Sequence, residues 1–180
     1  MTIRPETTDD VEAVAAVHVR AWRVGYAGIM PPDVLAALDP AAFAHRRRDR
    51  RAAGGPFTTL VADLDGAVVG FTTVGPYRNG QNSEDLDPAY GEILAIYVEP
   101  ARWRTGVGSA LLARGCAELT ARGFAEARLL VLDDNARARR FYERAGLLPD
   151  GELSVYALRR APDQPPVELP EVRYARQLDP

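Results

Sequence analysis

The sequence has no lysine, a single cysteine and no long apolar run. The absence of lysine excludes a P-loop, whose phosphate-binding motif requires Gly-Lys followed by Ser or Thr. The one cysteine, Cys116, cannot form a disulfide within the chain, and its place on an apolar helical stripe favours a core residue over a catalytic thiol. No stretch reaches the roughly 18 apolar residues of a membrane span, and the first residues include no signal-peptide apolar region. We therefore expect a cytoplasmic protein that does not enter a membrane.

The composition is that of one globular domain. The 180 residues are 47% hydrophobic and 26% charged, which is enough for one core but short for two. A net charge of -3 gives no global basic surface, which argues against nucleic acid as the main partner. All cationic side chains other than histidine are arginine, and with the abundant alanine and proline this composition is typical of a GC-rich bacterial genome. We predict a single domain over residues 1–180.

The apolar period changes from helical to strand-like at Gly54-Gly55-Pro56. Beyond that point, Asp65-Gly66 between two apolar runs is a strong hairpin signal. The elements predicted up to this hairpin are a strand over Thr2–Arg4, a helix from Val11 to about Gly25, a second helix after Pro31-Pro32, a third carrying Phe43 to Arg51, and strands over Thr58–Ala62 and Val68–Val74.

The second half is predicted to alternate strands and helices. Polar residues over Asn79–Asp87 predict a mobile loop. The clearest helix is Gly106–Arg122, because its apolar residues share one stripe and Gly123 stands at the position of a C-terminal cap. The other predicted elements are strands over Glu92–Val98, Leu129–Leu132, Leu153–Leu158 and Val172–Gln177, and a helix from Asn135 to Gly146, with a proline-rich loop that includes Pro162 between the last two strands.

The segment Arg104-Thr105-Gly106-Val107-Gly108-Ser109 opens the clearest helix and follows a strand. A glycine-containing turn at a helix start directs backbone N–H groups and the positive end of the helix dipole at one anion. Arg104 can add a charge-assisted contact, and Thr105 and Ser109 their hydroxyls. The dinucleotide fingerprint does not fit, because Leu111 stands where its third glycine belongs. The segment predicts a phosphate site, and the alternative is that its glycines only permit a tight turn.

The run from Glu92 to Leu147 resembles the GNAT superfamily of N-acetyltransferases. The residues that carry the resemblance are Glu92-Ile93-Leu94-Ala95-Ile96-Tyr97-Val98, Pro100, Arg104 to Leu112, Asn135, Phe141-Tyr142 and Gly146-Leu147. One position departs from the family pattern: Trp103 stands where the loop usually begins with Gln or Arg. Backbone N–H groups do the main work of such a loop, so we expect the change to alter its surface without abolishing cofactor binding.

The resemblance implies an α/β (α+β) fold with a mixed, largely antiparallel sheet of six to seven strands and helices on both faces. Residues 1–55 would be variable acceptor-side helices, 56–147 the acetyl-CoA-binding core, and 148–180 C-terminal strands. The fourth and fifth strands would splay apart, so that pantetheine pairs with main-chain groups of Ile96, Tyr97 and Val98. Trp103, Arg104, Thr105, Gly106, Val107, Gly108 and Ser109 would bind the pyrophosphate. A bulge in the fourth strand would direct a backbone N–H at the thioester carbonyl.

The resemblance also implies roles for three polar residues, each with a structural alternative. Glu92 is similar in position to a general-base glutamate, or it pairs with an arginine. Tyr142 matches a tyrosine that serves as general acid near the CoA sulfur, or it is an amphipathic core residue. Asn135 would contact the cofactor, and it can also cap its helix.

The implied activity is transfer of acetyl from acetyl-CoA directly to a primary amine, most simply of a small molecule. Trp22 and Tyr26 lie in the helix-loop-helix region that walls the acceptor site in such enzymes, although they can also be core residues. The alternatives are a protein or peptide N-acetyltransferase and a catalytically silent acyl-CoA-binding domain. We expect no metal, and the C-terminal strands could pair in a homodimer.

Overall fold

The computed structural model describes residues 1–82, 84–158 and 165–178. These residues form seven strands and five helices, together with short 3-10 turns. The strands are β1 (Thr2–Pro5), β2 (Thr58–Leu64), β3 (Ala67–Arg78), β4 (Leu86–Val98), β5 (Glu126–Leu132), β6 (Leu148–Leu158) and β7 (Val167–Gln177), and the helices are α1 (Val11–Gly25), α2 (Pro32–Ala36), α3 (Pro40–Ala53), α4 (Val107–Ala121) and α5 (Ala136–Arg144).

The strands form one sheet in the order β1-β2-β3-β4-β5-β7-β6. All neighbouring strands are antiparallel except β4 and β5, which run parallel and are joined through α4. The turn between β2 and β3 is the predicted hairpin turn, and its residues Asp65 and Gly66 both have positive φ, 54° and 86°. The predicted mixed, largely antiparallel sheet is confirmed, with seven strands.

Helices cover both faces of this sheet. On one face, α4 packs its buried Leu112, Cys116 and Leu119 against β3, β4 and β5. A Cβ on Gly115 of α4 would lie 3.2 Å from the Val74 side chain, so the helix approaches β3 closely. On the other face, Val14 and Val17 of α1 pack with residues of β2 and β3, and α3 packs on α1. We call the face covered by α1 the acceptor face.

Every predicted element is present, but several strands are longer than the sequence indicated. The interpretation of Asn79–Asp87 as a mobile loop was wrong at its end, because Leu86 and Asp87 belong to β4 and pair with Arg78 and Tyr77 of β3. Asn79–Gln81 forms a 3-10 turn. Strands β5, β6 and β7 each begin three to five residues earlier than predicted, since pairing with neighbouring strands extends them through polar positions. Residues 159–164 of the predicted proline-rich loop, with Pro162, lie outside the described residues, as does Ser83.

Candidate active site

A slot opens between the two parallel strands at the centre of the sheet. Only two register pairs join β4 to β5, Gly91 with Ala127 and Glu92 with Arg128. Beyond them, β4 continues to Val98 paired only with β3, and β5 continues to Leu132 paired only with β7. Two strand edges therefore face each other with backbone N–H and C=O groups available, which matches the expected splay and suits an extended ligand.

Strand β4 carries a β-bulge beside this slot. Ile93 pairs with Val74 and Ala95 pairs with the preceding residue, Thr73, so Leu94 is an extra residue on β4. Such a bulge disrupts the regular ladder and leaves backbone groups without ladder partners. The bulge expected in the fourth strand is thus present, at the level where the two strands separate.

The turn Arg104–Ser109 lies at the start of α4. Arg104 and Gly106 both have positive φ, 64° and 91°, so the backbone reverses sharply before the helix begins at Val107. The first intrahelical bond of the helix runs from the Ala110 N–H to the Gly106 carbonyl, at 3.0 Å. The N–H groups of Val107, Gly108 and Ser109 therefore have no helical acceptor and project from the helix start. This arrangement can hold an anionic phosphate at the mouth of the slot.

Trp103, the departure from the family pattern, ties this turn to the end of β4. Its indole Nε1 donates to the Val98 carbonyl at 2.9 Å, so this carbonyl, expected to pair with pantetheine, already has an internal partner. The guanidinium of Arg137, in the first turn of α5, lies 3.6 Å from the centre of the Trp103 ring. Sequence reasoning missed Arg137, which brings a positive charge close to the turn Arg104–Ser109.

Asn135 directly precedes α5 and Tyr142 belongs to it, on the other side of the slot. Asn135 is buried, and its side-chain oxygen accepts from the Ala138 N–H at 3.1 Å, so it caps the helix. Tyr142 is also buried, and burial together with the negative charge of a Tyr97 phenolate raises its pKa well above the usual value, against a lowering by Arg137. The Tyr142 phenol is therefore neutral at physiological pH and able to donate a proton.

Glu92 is held by an arginine on the acceptor face. It is only 2% exposed, and both of its carboxylate oxygens accept hydrogen bonds from Arg78 of β3. The Arg78 side chain donates from Nη2 to Oε1 at 2.8 Å and from Nε to Oε2 at 3.0 Å, and the Arg78 backbone N–H also donates to Oε2 at 3.0 Å. Of the two roles considered for Glu92, these contacts match the ion pair.

Trp22 and Tyr26 lie in an aromatic cluster beside β4. His18 stacks on Tyr97 with ring centres 4.6 Å apart and touches Trp22 edge-on. The Tyr26 and Tyr97 hydroxyls are 3.3 Å apart. Burial and nearby arginines lower the pKa of His18 to about 3, so this histidine is neutral and carries no charge to the site. The cluster forms a compact aromatic wall on the acceptor face.

A second buried glutamate, which sequence reasoning missed, lies on the same face. Glu171 of β7 is 8% exposed and accepts from Gln81 Nε2 at 2.7 Å. In the sequence it is one of several glutamates in the polar C-terminal segment, and its partner Gln81 stands 90 positions away. Local periodicity holds no signal for such a contact.

Neither a metal cluster nor a membrane-spanning helix is found among residues 1–82, 84–158 and 165–178. These ranges contain no group of three or more His, Cys, Asp or Glu side chains placed to hold a metal ion. Their helices are too short or too polar to cross a membrane.

Comparison with known proteins identifies similar sequences and folds. Residues 17–147 match the sequence model of the acetyltransferase (GNAT) family. The uncharacterized N-acetyltransferase YuaI of Bacillus subtilis (strain 168) is 35% identical over 135 residues, 75% of this chain and 73% of that protein. A mycothiol acetyltransferase of Acidimicrobium ferrooxidans is 36% identical over 105 residues, which are 58% of this chain but only 32% of that protein. The crystal structure of PaiA N-acetyltransferase from Thermoplasma acidophilum in complex with coenzyme A has a TM-score of 0.69 at 19% identity, covering 95% of this chain and 98% of that one.

Proposed function

This chain belongs to the acetyltransferase (GNAT) family and is an acetyl-CoA-dependent acyltransferase, and we propose that it transfers the acetyl group to the primary amine of a small molecule. The observation that carries the proposal is the slot between β4 and β5, which lies between the phosphate-binding turn on one side and the aromatic wall on the other. Donor and acceptor would meet at the level of the β4 bulge.

The donor would be held mainly by backbone groups. We assign its pyrophosphate to the turn Arg104–Ser109, where three N–H groups of α4 lack helical acceptors and Gly106 places no side chain in the way. The pantetheine arm would run along the free edge of β4 at Ile96 and Tyr97. The Val98 carbonyl already accepts a hydrogen bond from Trp103. It would therefore contribute to pantetheine binding only through its remaining capacity to accept a second hydrogen bond.

The reaction would need a donor of hydrogen bonds to the carbonyl and a proton for the departing thiolate. A backbone N–H beside the Leu94 bulge would stabilise the developing negative charge on the carbonyl oxygen. The neutral phenol of Tyr142 would protonate the sulfur. Asn135 would act indirectly, because it caps the first turn of the helix that carries Tyr142.

The acceptor is proposed to be small because the wall beside β4 is compact. Trp22 and Tyr26 would form this wall, and their rings pack edge to face with centres 5.2 Å apart. A protein or peptide acceptor would require a groove on this face, and an acyl-CoA-binding domain without activity would have no acceptor at all. The exposed edge strand β6, with Leu153 73% exposed, is where a second copy could pair.

A free-thiol assay with acetyl-CoA against polyamines, aminoglycosides, amino acids and short peptides tests the proposal. We expect thiol release with at least one small amine and none with the peptides. The variant Y142F should lower kcat about 100-fold with little change in CoA affinity by calorimetry. Y90F is the matched control, since Tyr90 lies on β4 before the slot opens and packs on Arg128. Release with peptides alone would reverse the acceptor assignment, and CoA binding without any release would support the silent domain.

A further inference from the structure

Glu171 occupies the acceptor face on the far side of the slot from Glu92. Its register partners are Leu132 of β5 and Ser154 of β6. Leu132 belongs to the same apolar cluster as Trp22, Tyr26 and Tyr156, so Glu171 lies at the border of the aromatic wall. Its charge also contributes to raising the pKa values of Tyr26 and Tyr156, which places the carboxylate in electrostatic contact with both phenols.

Gln81 donates a hydrogen bond to one oxygen of the Glu171 carboxylate and leaves the other oxygen available. Its Nε2 donates to Glu171 Oε2 at 2.7 Å and lies 3.2 Å from Ser154 Oγ. Among the described residues, Glu171 Oε1 accepts no hydrogen bond. Gln81 adopts a positive φ of 62°, and such a conformation in a residue other than glycine costs about 1 kcal/mol or more and is retained where the surroundings require it. The strained turn thus places an amide against a buried carboxylate that keeps one oxygen available.

The electrostatic surroundings of Glu171 differ from those of Glu92. Burial raises the pKa of Glu171 to about 7, with a further rise from the charge of Glu92 on β4. The Gln81 hydrogen bond and the charge of Arg78 on β3 lower it. Among the described residues, the other titratable groups that interact with its charge are the phenols of Tyr26, directly after α1, and Tyr156 on β6, which are neutral. No guanidinium among the described residues binds Glu171 directly, whereas Glu92 receives three hydrogen bonds from Arg78.

We propose that Glu171 is the general base of the transfer: its available oxygen binds the acceptor ammonium between Tyr26 and Tyr156 and takes its proton. This inference rests on the proposed function. The freed nitrogen lone pair forms the new C–N bond at the thioester carbonyl carbon. The C–S bond then breaks, the thiolate takes the Tyr142 proton, and the second proton lost by the nitrogen restores the Tyr142 phenol. The two products are the N-acetyl amine and CoA thiol, with the ammonium proton on Glu171. A carboxylate that ionises near neutral pH is suited to this role, because it is both ionised and basic there.

The test compares E171Q with E92Q and with the control E168Q, whose glutamate is exposed on the same strand. E171Q should lower kcat/KM for the amine at least 100-fold, keep the CoA affinity and lose the rise in kcat/KM with pH near 7. A glutamine can still accept the hydrogen bond from Gln81, so a structural role alone would leave both rate and pH profile unchanged. Binding of the amine to CoA-loaded protein, measured by calorimetry above pH 7, should weaken about 10-fold or more in E171Q and stay unchanged in E168Q.

Each other result separates this inference from the proposed function. If the wild-type protein releases thiol and E171Q does so with the same pH profile, the inference is wrong and the proposed function stands. If E92Q, and not E171Q, loses the ionisation, Glu92 is the base. If the wild-type protein binds CoA but neither binds nor acetylates any amine, both are overturned together.

Discussion

The two halves of the sheet treat buried polar groups in opposite ways. In the half formed by β1 to β4, such groups are closed in pairs: Glu92 with Arg78, Glu6 with Arg47, and Thr59 with Thr73 through hydroxyls 2.9 Å apart. At the junction of β4 with β5 and at Glu171 of β7, they are left open, although the buried Tyr174 of β7 is hydrogen-bonded to both Arg139 and Glu143. There, two strand edges face each other without a ladder, and one oxygen of Glu171 accepts no hydrogen bond among the described residues.

This difference separates groups that hold the fold from groups available to a ligand. A closed ion pair stabilises the fold mainly because breaking it would leave one charge buried alone. An open edge or a singly bonded carboxylate contributes little to stability and keeps its hydrogen-bonding capacity for a ligand. Both Glu92 and Glu171 are buried, at 2% and 8% exposure, so the partner distinguishes them more than the depth does.

The largest effect is expected when the arginine of a buried ion pair is removed. R78M should lower the free energy of unfolding by about 3 kcal/mol, because Glu92 would keep its charge in a buried place without a cation. Urea denaturation measures the change. The control is R20M, which breaks the more exposed pair of Arg20 with Glu99 and should change stability by less than about 1 kcal/mol. Equal losses in the two variants would show that the pair with Glu92 is not special.

The singly bonded carboxylate of Glu171 should make the stability of the protein depend on pH. The pKa of Glu171 is about 7 in the fold against an ordinary 4.5, so the folded protein binds more protons than the unfolded one between these values. Its contribution to stability is therefore lost as pH rises through about 7. At pH 8.5, E171Q should be more stable than the wild-type protein by about 3 kcal/mol, and at pH 4 the two should agree. E168Q should follow the wild-type curve in thermal melts at both pH values. If E171Q lost as much stability as the wild-type protein between pH 4 and pH 8.5, Glu171 would not be the group responsible.

The smallest effect is expected at the phosphate-binding turn, where backbone conformation and ligand binding can be separated. G106A should lower stability by about 1 kcal/mol, because φ is 91° there, and should weaken CoA binding about 10-fold. G151A is matched to it: Gly151 has a φ of 92° and open space around its Cα, but lies in β6. It should lose similar stability and bind CoA normally in calorimetry. Equal CoA affinity in both variants would remove the turn from the binding site.

Features that depend on neighbours in the chain could be predicted from the sequence. The hairpin at Asp65-Gly66, the cap at Asn135 and the helix after Gly106 each follow from the conformational preferences of a few adjacent residues. Cys116 was placed correctly on the buried stripe of α4, since that stripe has a regular helical period. The family resemblance added the splay and the bulge, which no local pattern indicates.

Features that depend on distant partners could not be predicted. The end of β3 and the start of β4 include the charged residues Arg78 and Asp87, and only the pairing of these two ends makes Tyr77, Arg78, Leu86 and Asp87 strand residues. The sequence could not identify Arg78 as the partner of Glu92, because the two residues meet only when β3 and β4 pair. Glu171 and Gln81 carry no local signal, because their contact exists only after β7 has joined the sheet. The placement of Trp103 over the end of β4 likewise required the coordinates.

The extra residue at Leu94 gives β4 two opposite side-chain phases. Before it, the even-numbered Glu92 faces α1 and the odd-numbered Ile93 faces α4, whereas after it the odd-numbered Ala95 and Tyr97 face α1. Deleting this one residue would bring Ile93 and Ala95 together in a regular ladder, with the side chains on either side still on their present faces. The extra residue is therefore not needed to keep the core in phase, and its removal would change only the backbone groups beside the slot.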